Sequence, residues 1–174
     1  MFISTKKFGP ISTCHRNWKA AENKNRDSRK CSYIHGYSRH IEILFIGETD
    51  EHQWVMDFGD LKDVKSLVEG LWDHAVLVSS NDPEIETLKE LDSNGLIKLT
   101  IVDVDNGLNW GPGIEGSCKQ LFDMITDIVK EKTEYRVGIK SVRIWEHENN
   151  SAIYIGNKQD YMRHGYQRTF SEYF

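Results

Sequence analysis

The chain is poor in cysteine, holds no long apolar run and carries no surplus of positive charge, and each shortage removes a class of protein. Three cysteines in 174 residues are a sparse, odd set. A secreted disulfide scaffold has a dense and even one, so a reducing cytoplasm is the expected compartment. Cys118, set in an apolar helical pattern, reads as a small buried hydrophobe. No stretch approaches the roughly 20 apolar residues of a membrane-spanning helix. The first residues lack the apolar segment of a signal peptide, so none is expected. A net charge of −5 argues against general nucleic-acid binding, which shows a basic surplus. A local basic run over residues 24–30 reads either as a solvated loop or as a place for an anionic ligand. Neither common Gly-rich nucleotide loop occurs, nor any internal repeat. What remains, 39% hydrophobic and 28% charged, suits one soluble globular domain with a real core.

The apolar pattern predicts strands and helices in blocks. Residues 1–8 alternate weakly (Phe2, Ser4, Lys6, Phe8) as a first strand, and residues 19–30 read as a loop. Residues 35–46 read as a long strand. Strand side chains alternate, so His35, Tyr37, Arg39, Ile41, Ile43 and Phe45 share one face and His40 points to the other. Residues 47–51 form a turn, and residues 53–56 could close a hairpin. Leu61, Val64, Leu67, Val68 and Leu71 recur at helical spacing. Pro83 opens a short helix carrying Ile85, Leu88 and Leu91. Residues 97–104 are strand-like and residues 106–113 turn-rich. A second clear helix carries Cys118, Leu121, Phe122, Ile125, Ile128 and Val129. Residues 135–145 and 151–155 read as a hairpin about Asn149-Asn150, and residues 157–174 show no period. Hairpins separated by helices predict an α+β fold, an antiparallel sheet with helices on one face.

The residues able to do chemistry are scattered. His15, His35 and His74 come from three segments, and a catalytic zinc typically takes three protein ligands and keeps one position open; any one of them alone is more often just a surface or hydrogen-bonded histidine. Cys31 follows Arg26, Arg29 and Lys30, and nearby positive charge favours a reactive thiolate; the bland reading is a half-buried structural cysteine. Asp73-His74 puts a carboxylate beside an imidazole, an acid–base pairing, or else simply a histidine favoured by a helix C-terminus. Glu146 shares a strand face with Val142 and Ile144. An unpaired carboxylate on an apolar face costs on the order of several kcal/mol, so it needs an arginine or a ligand with paired N–H donors. Glu115 opens the second helix, where the dipole alone would favour it. His52, His147 and His164 have no supporting pattern.

Taken in order, these pieces resemble the 6-pyruvoyl-tetrahydropterin synthase / 6-carboxy-tetrahydropterin synthase family. The carrying segments are Phe8-Gly-Pro-Ile-Ser-Thr-Cys-His15, Cys31-Ser-Tyr-Ile-His35-Gly36-Tyr37, Asp57-Phe58-Gly-Asp-Leu61-Lys62, Trp72-Asp73-His74, Pro112-Gly-Ile-Glu115-Gly116 and Val142-Arg-Ile-Trp-Glu146-His147. The match covers residues 1–156 as one domain and leaves residues 157–174 as a C-terminal extension. The resemblance implies the tunnelling fold, a four-stranded antiparallel sheet with two helices on one face. It also implies trimers whose sheets close a barrel, often stacked as hexamers, with sites between subunits. By the same resemblance His15 and His35 bind Zn²⁺, Cys31 abstracts a proton, Asp73 and His74 serve a second proton relay, and Glu146, with Glu115 nearby, anchors a pterin.

The three residues between Cys31 and His35 match the carboxy-forming branch. That branch is a zinc-dependent lyase converting 7,8-dihydroneopterin triphosphate to 6-carboxy-5,6,7,8-tetrahydropterin, acetaldehyde and triphosphate in 7-deazaguanine (queuosine-type) synthesis. Alternatives are the pyruvoyl-forming synthase and a non-catalytic pterin- or purine-binding member of the same fold. The expected partner is a small pterin triphosphate in a homo-oligomer, without nucleic acid or membrane. Tyr37 stands where the family has its third zinc-ligating histidine, and a phenol ionises only near pH 10 unless something lowers it. Gly113, Gly116 and His147 also depart from the family pattern.

Overall fold

Alternating β-branched and aromatic residues build the two longest strands, β1 (Phe2–His15) and β2 (His35–Gly47), which pair antiparallel with His15 opposite His35. This computed structural model describes residues 1–25, 27–102 and 111–167. Arg26, residues 103–104 of the expected strand, 106–110 of the expected turn and 168–174 of the expected extension lie outside the described residues.

The remaining elements are α1 (Lys62–Trp72), β3 (Ala75–Ser79), α2 (Ile85–Ser93), β4 (Leu99–Val102), α3 (Ile114–Lys132), β5 (Val137–His147), β6 (Asn150–Ile155) and α4 (Lys158–Arg163). They form one sheet of six strands in the order β4-β3-β1-β2-β5-β6. The expected antiparallel block exists as β1-β2-β5-β6, but β3 joins β1 in parallel and β4 joins β3 in parallel. The sheet is therefore mixed and six-stranded, not four-stranded and antiparallel. The short run Ala75–Ser79 is buried along its whole length, and its alternate residues face two different cores. Ala75 and Leu77 join the main core, whereas Val76 and Val78 pack with Leu88 of α2. Such a run has no period-two signal because both faces are covered. It also means that the helices do not all share one face of the sheet.

α3 covers the main core with Ile114, Cys118, Leu121, Phe122, Ile125 and Val129, packed on Ile41, Ile43 and Phe45 of β2 and Val142 and Ile144 of β5. Each such side chain removed from water contributes about 1.5–3 kcal/mol. Residues 53–56 are bends and irregular backbone, not a hairpin strand, and Asp50 holds the segment by accepting from the N–H groups of His52 and Trp54. The loop expected over residues 19–30 contains two 3-10 turns, Trp18–Glu22 and Ser28–Ser32. The C-terminal α4 is started by an Asn157–Asp160 capping box and pinned by Tyr161, whose hydroxyl donates to the Ile139 carbonyl. Among the described residues no helix is long and apolar enough to cross a membrane.

One irregularity in β1 positions the site. Before residue 9 the buried position is Phe8; after residue 10 the buried positions are Ile11, Thr13 and His15. The register shifts between Phe8 and Ile11. An added residue in one strand moves every later side chain to the opposite face, so the bulge brings His15 onto the core face. Gly9 permits it, with φ +111 and a Cβ position 2.7 Å from the Arg39 carbonyl oxygen.

Candidate active site

At the polar end of the core face, β1, β2 and β5 bring His15, His35, Tyr37, Arg39 and Glu146 together. The ring centroids of His15 and His35 lie 4.4 Å apart, those of His35 and Tyr37 5.5 Å, and those of His15 and Tyr37 5.9 Å. The alternation read from the sequence holds here: His40 is exposed on the other face. Glu146 continues the Val142–Ile144 face and comes within 4.0 Å of the His15 Nε2. Burial raises the Glu146 carboxyl above its ordinary range, against the pull of Arg39 and His35. Burial, followed by Glu146 and Cys31, likewise raises the Tyr37 phenol.

A cleft of about 390 Å³ opens on the His15 and Glu146 side of this cluster, bordered by those two residues, Cys31, Glu115 and the β5–β6 turn. Cys31 is held at its rim by the 3-10 turn, whose Cys31 carbonyl accepts from the Asn17 N–H at 3.0 Å. Glu115 enters from the first turn of α3. That turn lies so close beneath the preceding segment that a Cβ at Gly116 would fall 2.1 Å from the Gly111 carbonyl oxygen. A glycine at this position is therefore a packing requirement. Cys118 is fully buried and burial pushes its thiol up to about 12, in keeping with a packing role. Asp73 and His74 are not among the residues bordering the cleft. They pair with each other at 3.0 Å. The Asp73 carboxylate also accepts the Ser12 N–H, and the His74 bond holds the Asp73 carboxyl below its usual range.

Sequence reasoning passed over Arg39. It is fully buried, donates to Ser117 Oγ on α3 at 3.1 Å and reaches His15 Nδ1 at 2.5 Å and the Pro112 carbonyl at 3.5 Å. The signal was present: an arginine at an inward position of a strand otherwise continued by Ile41, Ile43 and Phe45.

The donor set bears directly on zinc. His35 Nδ1 lies 2.7 Å from the Tyr33 carbonyl; a carbonyl only accepts, so this ring donates from Nδ1 and keeps its Nε2 lone pair for a metal. His15 is arranged the other way. A guanidinium has no acceptor, so the Arg39 N–H occupies the Nδ1 lone pair. The neutral ring, held down at about 3 by burial and then by the Arg39 and His35 charges, carries its proton on Nε2. Among the described residues no three His, Cys, Asp or Glu side chains converge as a ligand set. His35 fits a zinc ion; His15, as it is hydrogen-bonded here, does not.

Comparison with known proteins agrees with the family resemblance. The family described as 6-pyruvoyl tetrahydropterin synthase matches residues 5–157. A 6-carboxy-5,6,7,8-tetrahydropterin synthase of Aquifex aeolicus (strain VF5) is 28% identical over 152 residues, which cover 80% of this chain and 90% of that protein. Among solved structures, an uncharacterized protein from Wolinella succinogenes superposes with TM-score 0.72 at 16% identity, over 90% of this chain and 98% of that one. The Caenorhabditis elegans 6-pyruvoyl tetrahydropterin synthase superposes with TM-score 0.56 at 21% identity, over the same shares. The structural likenesses establish the shared fold, and with the family match over most of the length the chain belongs to the 6-pyruvoyl tetrahydropterin synthase family and is an enzyme of its lyase type.

Proposed function

We propose that the chain is a 6-carboxy-tetrahydropterin synthase-like lyase acting on 7,8-dihydroneopterin triphosphate, working in cytoplasmic 7-deazaguanine synthesis. The observation that carries this reading is the single cleft shared by Cys31, Glu115, Glu146 and His15. The Aquifex relative supports the carboxy-forming product. Glu146, at the buried end of the cleft, would accept the paired N–H donors of the aminopyrimidinone ring, the partner that its apolar strand face calls for. Cys31 would stand across the cleft at the substrate side chain. Its sulfur takes a carbon-bound proton, the C–H electron pair becomes a double bond, and triphosphate departs with the electrons of the broken C–O bond. No step is routed through zinc, because the donor set does not fit it.

Asp73-His74 would serve a second proton relay in the cleft of an adjoining subunit. Among the described residues β4 and β6 have no outer partner strand, which supports such an assembly, since exposed edges invite pairing with another chain. The test is incubation with 7,8-dihydroneopterin triphosphate and mass analysis of the product. Formation of 6-carboxy-tetrahydropterin with acetaldehyde upholds the reading; no turnover by a folded protein overturns it. Mixing Cys31→Ala with His74→Ala subunits, each inactive alone, should restore activity if the relay crosses between subunits. Failure to restore it would return the relay to a single chain.

A further inference from the structure

The two histidines that face each other across β1 and β2 are held in opposite tautomers by different partners. The Tyr33 carbonyl, an acceptor, fixes the proton of His35 on Nδ1. Arg39, a donor with no acceptor capacity, fixes the proton of His15 on Nε2, and that N–H faces the cleft beside Glu146. A metal-binding histidine needs the first arrangement, in which the outer nitrogen donates to an oxygen and the inner one keeps its lone pair. Arg39 itself is permanently charged and fully buried. Its guanidinium uses Nη1 on Ser117 and Nη2 on His15, while Nε has no partner among the described residues. Among those residues no carboxylate comes within ion-pair distance of it; Glu146, the largest charge influence on it, lies 4.0 Å from His15 instead. A buried cation there repels a second cation and favours oxygen atoms carrying partial or full negative charge.

We infer that Arg39 is a positioning residue that converts His15 from a zinc ligand into an Nε2–H donor, so that the cleft recognises an oxygen of its ligand by a hydrogen bond from His15 backed by a buried guanidinium. The ligand group is a carbonyl, alkoxide or carboxylate oxygen. The donor takes over the orientation and polarisation of that oxygen, in the manner of preorganised donors aimed at developing negative charge. The inference uses the cleft assigned above but not the identity of the reaction within it.

The test is made on the full chain. Long-range ¹H–¹⁵N correlation on ¹⁵N-histidine-labelled protein, assigned with His15→Gln and His35→Gln, reads both tautomers directly. Nε2–H at His15 with Nδ1–H at His35 is expected; Nδ1–H at His15 would overturn the proposal. Zn²⁺ titration of chelator-dialysed protein supplies a second readout. Arg39→Gln replaces the donor by an amide oxygen able to accept from Nδ1, and it should raise Zn²⁺ affinity about 10–100-fold, the usual weight of an outer-shell partner. Arg39→Met removes the charge without supplying an acceptor and should raise affinity less. Wild-type protein that retains one zinc per chain, or an Arg39→Gln variant of native melting behaviour with unchanged Zn²⁺ affinity, would overturn the role given to Arg39. Zinc-free wild type with the expected tautomers but no turnover would uphold Arg39 and count against the lyase reading alone.

Discussion

Two polar clusters lie against α3, each with buried members, and they are put together on opposite terms. Behind the helix, Lys119 pairs with Asp123 and lies 3.7 Å from Asp160, Arg163 pairs with both of those carboxylates, and His164 bridges Asp127 at 2.9 Å and Asp123 at 3.3 Å. Tyr154 donates its hydroxyl to Asp160 as well. Each charge there has an opposite one in contact, and the cluster fastens α4 to the body. At the helix N-terminus Arg39 is buried with a neutral imidazole, a serine hydroxyl and a carbonyl, one of its N–H groups unpartnered among the described residues. Desolvating a charge without a counter-charge is costly. Matched networks are what a fold needs; an unmatched buried cation behind a histidine that lines a cleft is what a ligand oxygen needs. The difference separates structural polar burial from functional polar burial within one protein, without reference to sequence relatives.

The comparison can be broken by substitutions on either side. The largest effect belongs to the cleft: Cys31→Ala should lower turnover by about 10²–10⁴-fold, the weight of a proton-transfer group. Its melting temperature should stay unchanged, because Cys31 is exposed; full activity in that variant would remove Cys31 from the proton step. On the other side, Tyr161→Ala empties a fully buried aromatic site and should cost about 3–5 kcal/mol of stability in chemical denaturation. Its folded fraction should bind a pterin as the wild type does. Loss of binding without loss of stability would erase the distinction drawn here. Glu146→Gln should weaken pterin binding by about 10–100-fold, from a lost charged hydrogen-bonding partner worth about 1.5–3 kcal/mol, with stability kept. Calorimetry that finds equal affinities would take Glu146 out of the site.

The smallest effect is the most specific to the matched cluster. Bonds to Asp123, and then to Asp127, outweigh burial and raise the His164 imidazole. A group raised on folding contributes stability that is complete below its unfolded value, about 6.5, and that is lost as pH rises through the higher folded value. His164→Gln should therefore cost about 1 kcal/mol at pH 6, and its deficit should shrink toward pH 8. Asp123 and Asp127 titrate in the opposite sense. Burial would raise them, but their partners hold both below the usual carboxylate range, so their contribution is lost on acidification below about pH 4. A constant deficit from pH 6 to pH 8 would mean that His164 is not charged in the folded protein.

Much of this was legible in the residues. The 3.6 period of α1 and α3, the alternation that puts His35 and Tyr37 on one face with Arg39 and turns His40 away, and the β5–β6 hairpin, whose turn is Glu148-Asn149 and not the expected Asn149-Asn150, are local signals, written in neighbours a few residues apart. The motif order was equally legible, and so was the need of Glu146 for a partner. β3 was not, because a strand buried on both faces has no alternation to read, and with it went the sixth strand, the parallel pairings and the second small core under α2. The face of His15 was not legible either. A bulge at Gly9 and Pro10 reverses the parity of β1, and the clash that calls for glycine there is with the Arg39 backbone of the neighbouring strand. The sequence by itself thus determined most of the secondary elements, the family and the inventory of reactive groups, since each depends on residue type and local spacing. Only the tertiary structure decided which groups share the cleft and that Arg39 claims the Nδ1 of His15. Hydrogen-bond direction depends on which donor meets which acceptor across strands, and no spacing along the chain records it.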